Sequence, residues 1–236
     1  MKKILCLFLF AVALSASNRG ELRDFARQRN GDNGPTSSEY YLTDAEMNNN
    51  INVVENYIVR NTRCLEGRYS TATYASQREY TLPPKCMSIT KVDYQIIASS
   101  NVDSGEFERL VPYTISALDG KVSHIWETTA EGEPTKYYKR SNKIGLYPTP
   151  DAVYSSTHSV LRVSYIKVPD IMTLDADIPF DGYTHLYPYH YLIVEGVVAI
   201  CNNQPVEAIF PIVDKMRMEL ALQADIYTGE KWRRGK

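Results

Sequence analysis

The sequence predicts an α+β fold: a helical bundle formed by N- and C-terminal helices, with an antiparallel β domain inserted between them. Three observations predict it. Apolar residues recur at helical spacing up to about residue 67, alternate with polar ones through the middle, and return to helical spacing near the end. The middle is rich in Tyr, Thr, Val and Ile and is punctuated by Pro83-Pro84, Pro148-Thr-Pro150 and Pro169, which keep strands from pairing past them. The order of helices, strands and helices leaves two helical ends to pack on each other. The expected parts are 1–17, an apolar signal-like segment; 18–67 and 184–228, the helical part; 68–183, the β-rich insertion; and 229–236, a basic flexible tail.

Met1-Lys2-Lys3 precedes eleven apolar residues, Ile4 to Leu14, and then Ser15-Ala16-Ser17. A basic start, a short apolar run and a small-residue exit have the form of a secretory signal cleaved near residue 15. Eleven residues span only about 16 Å as a helix, so the run is too short to cross a bilayer. An extra apolar helix, or a start placed upstream of the true one, are the other readings.

The first helix places Leu22, Phe25, Ala26 and Arg29 at helical spacing and ends at Asn30-Gly31. The second has a full start signal. Thr43 is the N-cap and Glu46 its N3 partner, with Leu42 and Met47 at the staple positions. Met47, Ile51, Val54 and Ile58 then form one stripe, and the helix should run from about Asp44 to Arg63.

Strands are expected over 69–74, 78–82, 88–97 and 160–166, and 136–140 and 143–147 should form a hairpin about Ser141-Asn142. Leu192 to Cys201 is apolar almost all round, so it should be buried among other helices or against a neighbouring subunit. After the turn Asn202-Asn-Gln-Pro205, a last helix starts or kinks at Pro211 and puts Ile209, Val213, Met216 and Leu220 on one side.

The chain has 236 residues, and its 44% hydrophobic and 23% charged content is that of a globular protein. With 26 basic against 28 acidic residues it has no strong field for nucleic acid or for cations. Its 18 tyrosines outnumber 6 phenylalanines and 2 tryptophans, which suits half-buried strand faces and subunit contacts. Cys64, Cys86 and Cys201 are widely spaced and form no CxxC pair; they read as buried free thiols, with one disulfide plus a spare thiol as the alternative.

No phosphate-cradling glycine loop and no GxSxG elbow occurs. His124 and His158 are isolated, and His185 and His190 lie five apart, a poor helical metal pair. The acidic stretch Asp170, Asp175, Asp177, Asp181 could begin a calcium loop at Asp175-x-Asp177. Pro179, Phe180 and Leu186 occupy the positions that need a ligand, Gly and Glu. It reads instead as a solvated loop whose acids approach the N-terminus of the next helix. No catalytic residue, cofactor or metal is therefore expected.

Patterns along most of the chain resemble the head-to-tail adaptor subunits of tailed bacteriophages. They are Leu22-Arg-Asp-Phe-Ala-Arg27, Leu42-Thr-Asp-Ala-Glu46 through Asn50-Ile-Asn52, Tyr80-Thr-Leu-Pro83 and Ile89-Thr-Lys-Val-Asp-Tyr94. Further along come Gly132-Glu-Pro-Thr-Lys-Tyr137, Ile144-Gly-Leu-Tyr-Pro-Thr-Pro-Asp151, Val163-Ser-Tyr-Ile-Lys-Val-Pro169, Asp175-Ala-Asp-Ile-Pro179 and Tyr191-Leu-Ile-Val194. The resemblance implies a structural, non-enzymatic virion protein assembled in the host cytoplasm. Copies of the chain, typically twelve in the family, would form a ring beneath the portal, extend the DNA channel without sequence-specific binding, and carry tail or nozzle proteins. Trp232, Arg233 and Arg234 are candidate portal contacts, with Trp232 as anchor. The alternative, motivated by residues 1–17, is an exported β-rich protein binding glycan or another surface ligand.

Overall fold

A computed structural model of the chain describes residues 17–32, 42–97, 106–122, 131–153 and 160–233. The signal-like residues 1–16, His124, His158 and Arg234 lie outside these. The chain is mixed α+β and divides into two compact units, one of residues 1–65 and 168–236, the other of 66–167. The boundary thus falls at Val168 rather than at residue 183. The reason is burial: Met172 and Phe180 sit in the hydrophobic core of the helical unit.

In the helical unit, α1 (Arg19–Asn30) and α2 (Asp44–Thr62) precede the insertion. After it come 3-10 turns at Phe180–Gly182 and Thr184–Tyr189, α4 (His190–Cys201), a 3-10 turn at Val206–Ile209, and α5 (Phe210–Arg233). Both early helices start with a capping box. Asn18 caps α1 with Glu21 reaching back, and Thr43 caps α2 with Glu46 reaching back. Gly31, in the left-handed region at φ 75°, closes α1. Helices from both ends of the chain contribute to one core, in which Leu22, Ile51, Val54, Leu192, Val197 and Val213 are fully buried. Gly196 permits the close approach of α4 to α2, since a Cβ there would lie 2.4 Å from Val54 Cγ1.

The final helix is longer than the apolar stripe foretold. It continues to Arg233, so residues 229–233 are helical rather than a loose tail. Nothing in Ala221 to Arg233 breaks a helix except Gly229, and propagation adds one hydrogen bond per residue.

The β unit holds two four-stranded sheets, ordered β1-β8-β3-β4 and β2-β7-β6-β5. The strands are β1 (Glu66–Ala72), β2 (Glu79–Thr81), β3 (Cys86–Ile97), β4 (Glu106–Arg109), β5 (Val111–Pro112), β6 (Lys136–Arg140), β7 (Lys143–Tyr147) and β8 (Val160–Lys167). A short helix α3 (Ile115–Val122) follows β5. Val92, Tyr94, Leu161 and Val163 from one sheet share a core with Tyr80, Leu82, Ile144 and Leu146 from the other. Pairing is antiparallel apart from β5 with β6, which is parallel. That exception to the antiparallel expectation is topological: α3 lies between the two strands and supplies the crossover that parallel neighbours need.

Each sheet contains a tyrosine laid over the glycine directly across from it. Tyr138 faces Gly145 in the β6–β7 hairpin, and Tyr165 faces Gly67 between β8 and β1. A Cβ on Gly145 would lie 2.0 Å from the Tyr138 ring, and one on Gly67 2.6 Å from that of Tyr165. The tyrosine surplus is accordingly spent largely within the fold. Tyr80, Tyr94, Tyr138, Tyr165 and Tyr189 are buried, and among the tyrosines with described side chains only Tyr74 and Tyr183 are exposed.

Candidate functional site

The acidic stretch is the exposed loop expected, and side chains of α1 and α2 also hold it in place. Arg19, Arg23 and Arg27 recur every four residues along α1 and so share one face. The buried guanidinium of Arg19 donates to the carbonyls of Met172 and Thr173, both at 2.8 Å, and to Asp175 at 3.0 Å. Arg23 grips Asp175 bidentately at 3.0 and 3.1 Å. Arg27 joins Asp32 at 2.9 Å to Asp44 of α2 at 2.8 Å. Asn52 of α2 closes a reciprocal pair with the Met172 backbone, donating at 3.2 Å and accepting at 3.0 Å.

The acids thus serve the first helix rather than the one that follows. The Asp177 and Asp175 carbonyls accept from the Arg19 and Gly20 N–H groups at 2.8 and 3.0 Å, satisfying donors that a helix start leaves free. The Asp177 carboxylate accepts from the Thr173 and Leu174 N–H groups at 2.6 and 2.7 Å. These bonds hold Asp177 below the usual carboxylate range; hydrogen bonds from Arg23 and then Arg19 do the same for Asp175. Both carboxylates are therefore engaged internally, and the calcium-loop reading of Asp175-x-Asp177 has no support from the geometry.

The other end of the segment is pinned from inside. Phe180 is fully buried, and with Asp181 and Gly182 it forms a turn with φ of 54°, 53° and 74°. Two successive non-glycine residues in the left-handed region cost about 1 kcal/mol or more each. The Phe180 N–H donates to Glu55, a buried carboxylate of α2. Burial pushes Glu55 up to about 8, outweighing the stabilising Phe180 bond. The Phe180 ring also lies 5.8 Å from His190, whose other aromatic neighbour is Tyr187 at 5.2 Å. Burial pushes His190 down to about 4, against a smaller opposing pull from the Ser17 backbone. His185 packs edge-on to Tyr183, so the two histidines have separate surroundings.

What this scaffold holds outward is apolar. Ile171 is 76% exposed and Leu174 64%, with Ile178 and Tyr183 exposed beside them in sequence. A second apolar surface runs along α5. Its inner side buries Val213 and Met216, yet Met218 and Leu222, four apart on another side, are 54% and 63% exposed. Phe210 and Ile212 are exposed at the start of the same helix. Exposed aliphatic side chains mark a docking surface where they join into a contiguous patch, which makes these two surfaces candidates.

Of the candidate portal residues, Trp232 and Arg233 fall in the last turn of α5, and Arg234 lies beyond the described residues. The reading of the sequence missed the Ile171–Leu174 surface and the arginine face behind it. The i, i+4, i+8 spacing of Arg19, Arg23 and Arg27 was the signal available. Cys64, Cys86 and Cys201 are free, half-buried thiols, and burial raises Cys64 to about 11. No helix among the described residues is long and apolar enough to cross a membrane.

No curated protein matches the chain in a sequence comparison. The family described as SU10 adaptor protein matches residues 17–221, which span α1, α2, the whole β unit, α4 and the first half of α5. The chain therefore belongs to the SU10 adaptor protein family and is a phage structural adaptor of the head–tail region.

Proposed function

We propose that the protein is the subunit of an adaptor ring that binds beneath the portal, extends the DNA channel and carries tail or nozzle components during virion assembly and DNA ejection. Membership of the adaptor family over residues 17–221 is the observation that carries this reading. The exposed aliphatic side chains of the helical unit support it, because a ring subunit must offer surfaces to copies of itself and to the portal. The family's usual twelve copies are taken as the stoichiometry. DNA passes through the lumen without sequence-specific binding, and the near-balance of 26 basic and 28 acidic residues suits a conduit, since each phosphate contact adds salt-dependent grip. The chain is assigned no catalytic role. Trp232, Arg233 and Arg234 are assigned to the portal contact, where an indole supplies an anchor and the cations orient it.

The test is assembly on the cognate portal. Full-length protein, alone and mixed with portal rings, is weighed by native mass spectrometry. A closed homo-oligomer, free or seated on portal in a fixed ratio, is expected; a chain that stays monomeric and ignores portal overturns the proposal. Trp232→Ala together with Arg233→Ala should weaken portal binding at least tenfold while leaving the thermal midpoint unchanged.

A further inference from the structure

We propose that the turn at Phe180–Gly182 is a latch with two settings. Closed, it keeps the Phe180 ring in the helical core with its N–H on Glu55. Open, it relaxes to ordinary backbone, withdraws the ring and lets water reach Glu55, while the rest of the helical unit stays folded. The latch belongs to that unit alone and stands whether or not the chain forms a ring.

The turn is strained and is held from outside itself. Phe180 and Asp181 have φ of 54° and 53°, a region that a bulky residue such as Phe enters only under constraint. Three contacts supply the constraint: the fully buried ring, the bond from its N–H to Glu55, and the Asp170 N–H donating to Asp181 Oδ1 at 3.0 Å. Backbone kept in a sparsely populated region by its surroundings recurs in switch segments, because losing one contact releases the strain. The opening has limits on both sides. The Asp175 and Asp177 carbonyls are bonded to the start of α1, and Leu186 is fully buried in the core. Between them Ile178 and Tyr183 are already exposed, so the Phe180 ring is the one large apolar group that must leave.

The contact to Glu55 is the one that a proton controls. Glu55 is 1% exposed, and among the described residues no Lys or Arg pairs with it. The charged group facing it is Asp181, in the turn itself, which disfavours a second negative charge. Cys64, just past α2, is a neutral thiol, and His190, across the Phe180 ring at the head of α4, is a neutral imidazole above pH 6.5. From α1 and α5, which also pack on α2, no charged group bears on Glu55. Closed, Glu55 therefore keeps its proton up to about pH 8; hydrated in the open setting, it releases the proton near 4.5. Between pH 6.5 and 8 each opening releases one proton. The open fraction then rises about tenfold per pH unit, roughly thirtyfold in all, and levels off above 8.

Hydrogen exchange of the full-length chain tests the latch, read by mass spectrometry over residues 178–183 with α2 as the internal standard. After correction for intrinsic rates, exchange at 178–183 should be faster than in α2 and indifferent to urea below the unfolding transition. It should also be about thirtyfold faster at pH 8 than at pH 6.5. Glu55→Gln keeps an oxygen for the Phe180 N–H but has no proton to lose, so the pH dependence should vanish. Asp181→Asn keeps an acceptor for Asp170 and removes the anion facing Glu55, so the levelling should move below pH 8. Exchange at 178–183 that matches α2 in rate and in urea dependence means the turn opens only with global unfolding, and overturns the latch. A Glu55→Gln chain that keeps the wild-type pH dependence overturns it equally.

Discussion

The carboxylate of Glu55 on α2 accepts the backbone N–H of Phe180, 125 residues further along the chain. The bond lies in the core and ties a left-handed turn to a helix that precedes the whole β insertion. Burial of Glu55, against the pull of this bond, also makes folding sensitive to protons, because the group is held near 8 while an unfolded glutamate titrates near 4.5.

The sign follows from proton counting. Between about 4.5 and 8 the folded chain keeps a proton on Glu55 that the unfolded chain releases, so this group's contribution is complete in acid and is lost as pH rises through 8. His190, lowered from 6.5 to about 4, works the other way: its neutral buried form favours folding above 6.5, and that contribution is lost as pH falls through 4. The two nearly cancel between 4.5 and 6.5, leaving Glu55 alone from 6.5 to 8. Urea midpoints should therefore be level at acid pH and fall on going to pH 8, by up to about 1.4 kcal/mol per pH unit. Glu55→Gln should abolish the fall. A variant that keeps the wild-type slope removes Glu55 as its source.

Arg19 is expected to be the least replaceable residue of the loop scaffold. Removing its guanidinium strands the Thr173 carbonyl and takes one donor each from the Met172 carbonyl and Asp175, which keep Asn52 and Arg23, at a cost of roughly 2–4 kcal/mol. Arg19→Lys should not rescue it, because one ammonium cannot serve the same three acceptors in a planar fork. Limited proteolysis reports this directly: Arg19→Ala should open a cleavage site between residues 170 and 178, and equal resistance in wild type and variant contradicts the scaffold role.

Gly145→Ala should destabilise the β unit by about 1–3 kcal/mol, since the new methyl would fall inside the buried Tyr138 ring. Combining it with Tyr138→Ala should cost less than the sum of the two single changes, because the clash then disappears. Additive costs in guanidinium unfolding would contradict a direct ring-to-methyl conflict.

Thr43→Ala should cost about 1 kcal/mol, the usual loss when a side-chain cap is deleted. The same experiment on Asn18 should give a similar loss. Chemical denaturation of either variant at neutral pH, with midpoints unchanged from wild type, would show that the caps are dispensable.

The features that could be read from sequence were those decided within a few residues. The Thr43–Glu46 box, the hairpin about Ser141-Asn142 and the buried helix after Leu192 each depend on neighbours in the chain. The candidate surface depended on distant partners. Arg19 meets Met172 across 153 residues and Asn52 meets it across 120, and no local pattern announces such pairs. The two arginines that bind Asp175 lie at the far end of the sequence, so the pairing has no local signal. The β5–β6 pairing escaped for the same reason, being defined by what crosses between two short strands.

The helical core has a consequence for the order of events in the cell. Its first half ends at Leu65 and its second begins at Val168, so a ribosome must deliver about 100 residues between them. At bacterial synthesis rates that takes roughly 5–20 s. For that interval Met47, Ile51, Val54 and Ile58 have no C-terminal helix to cover them, while the intervening unit can close from its own residues.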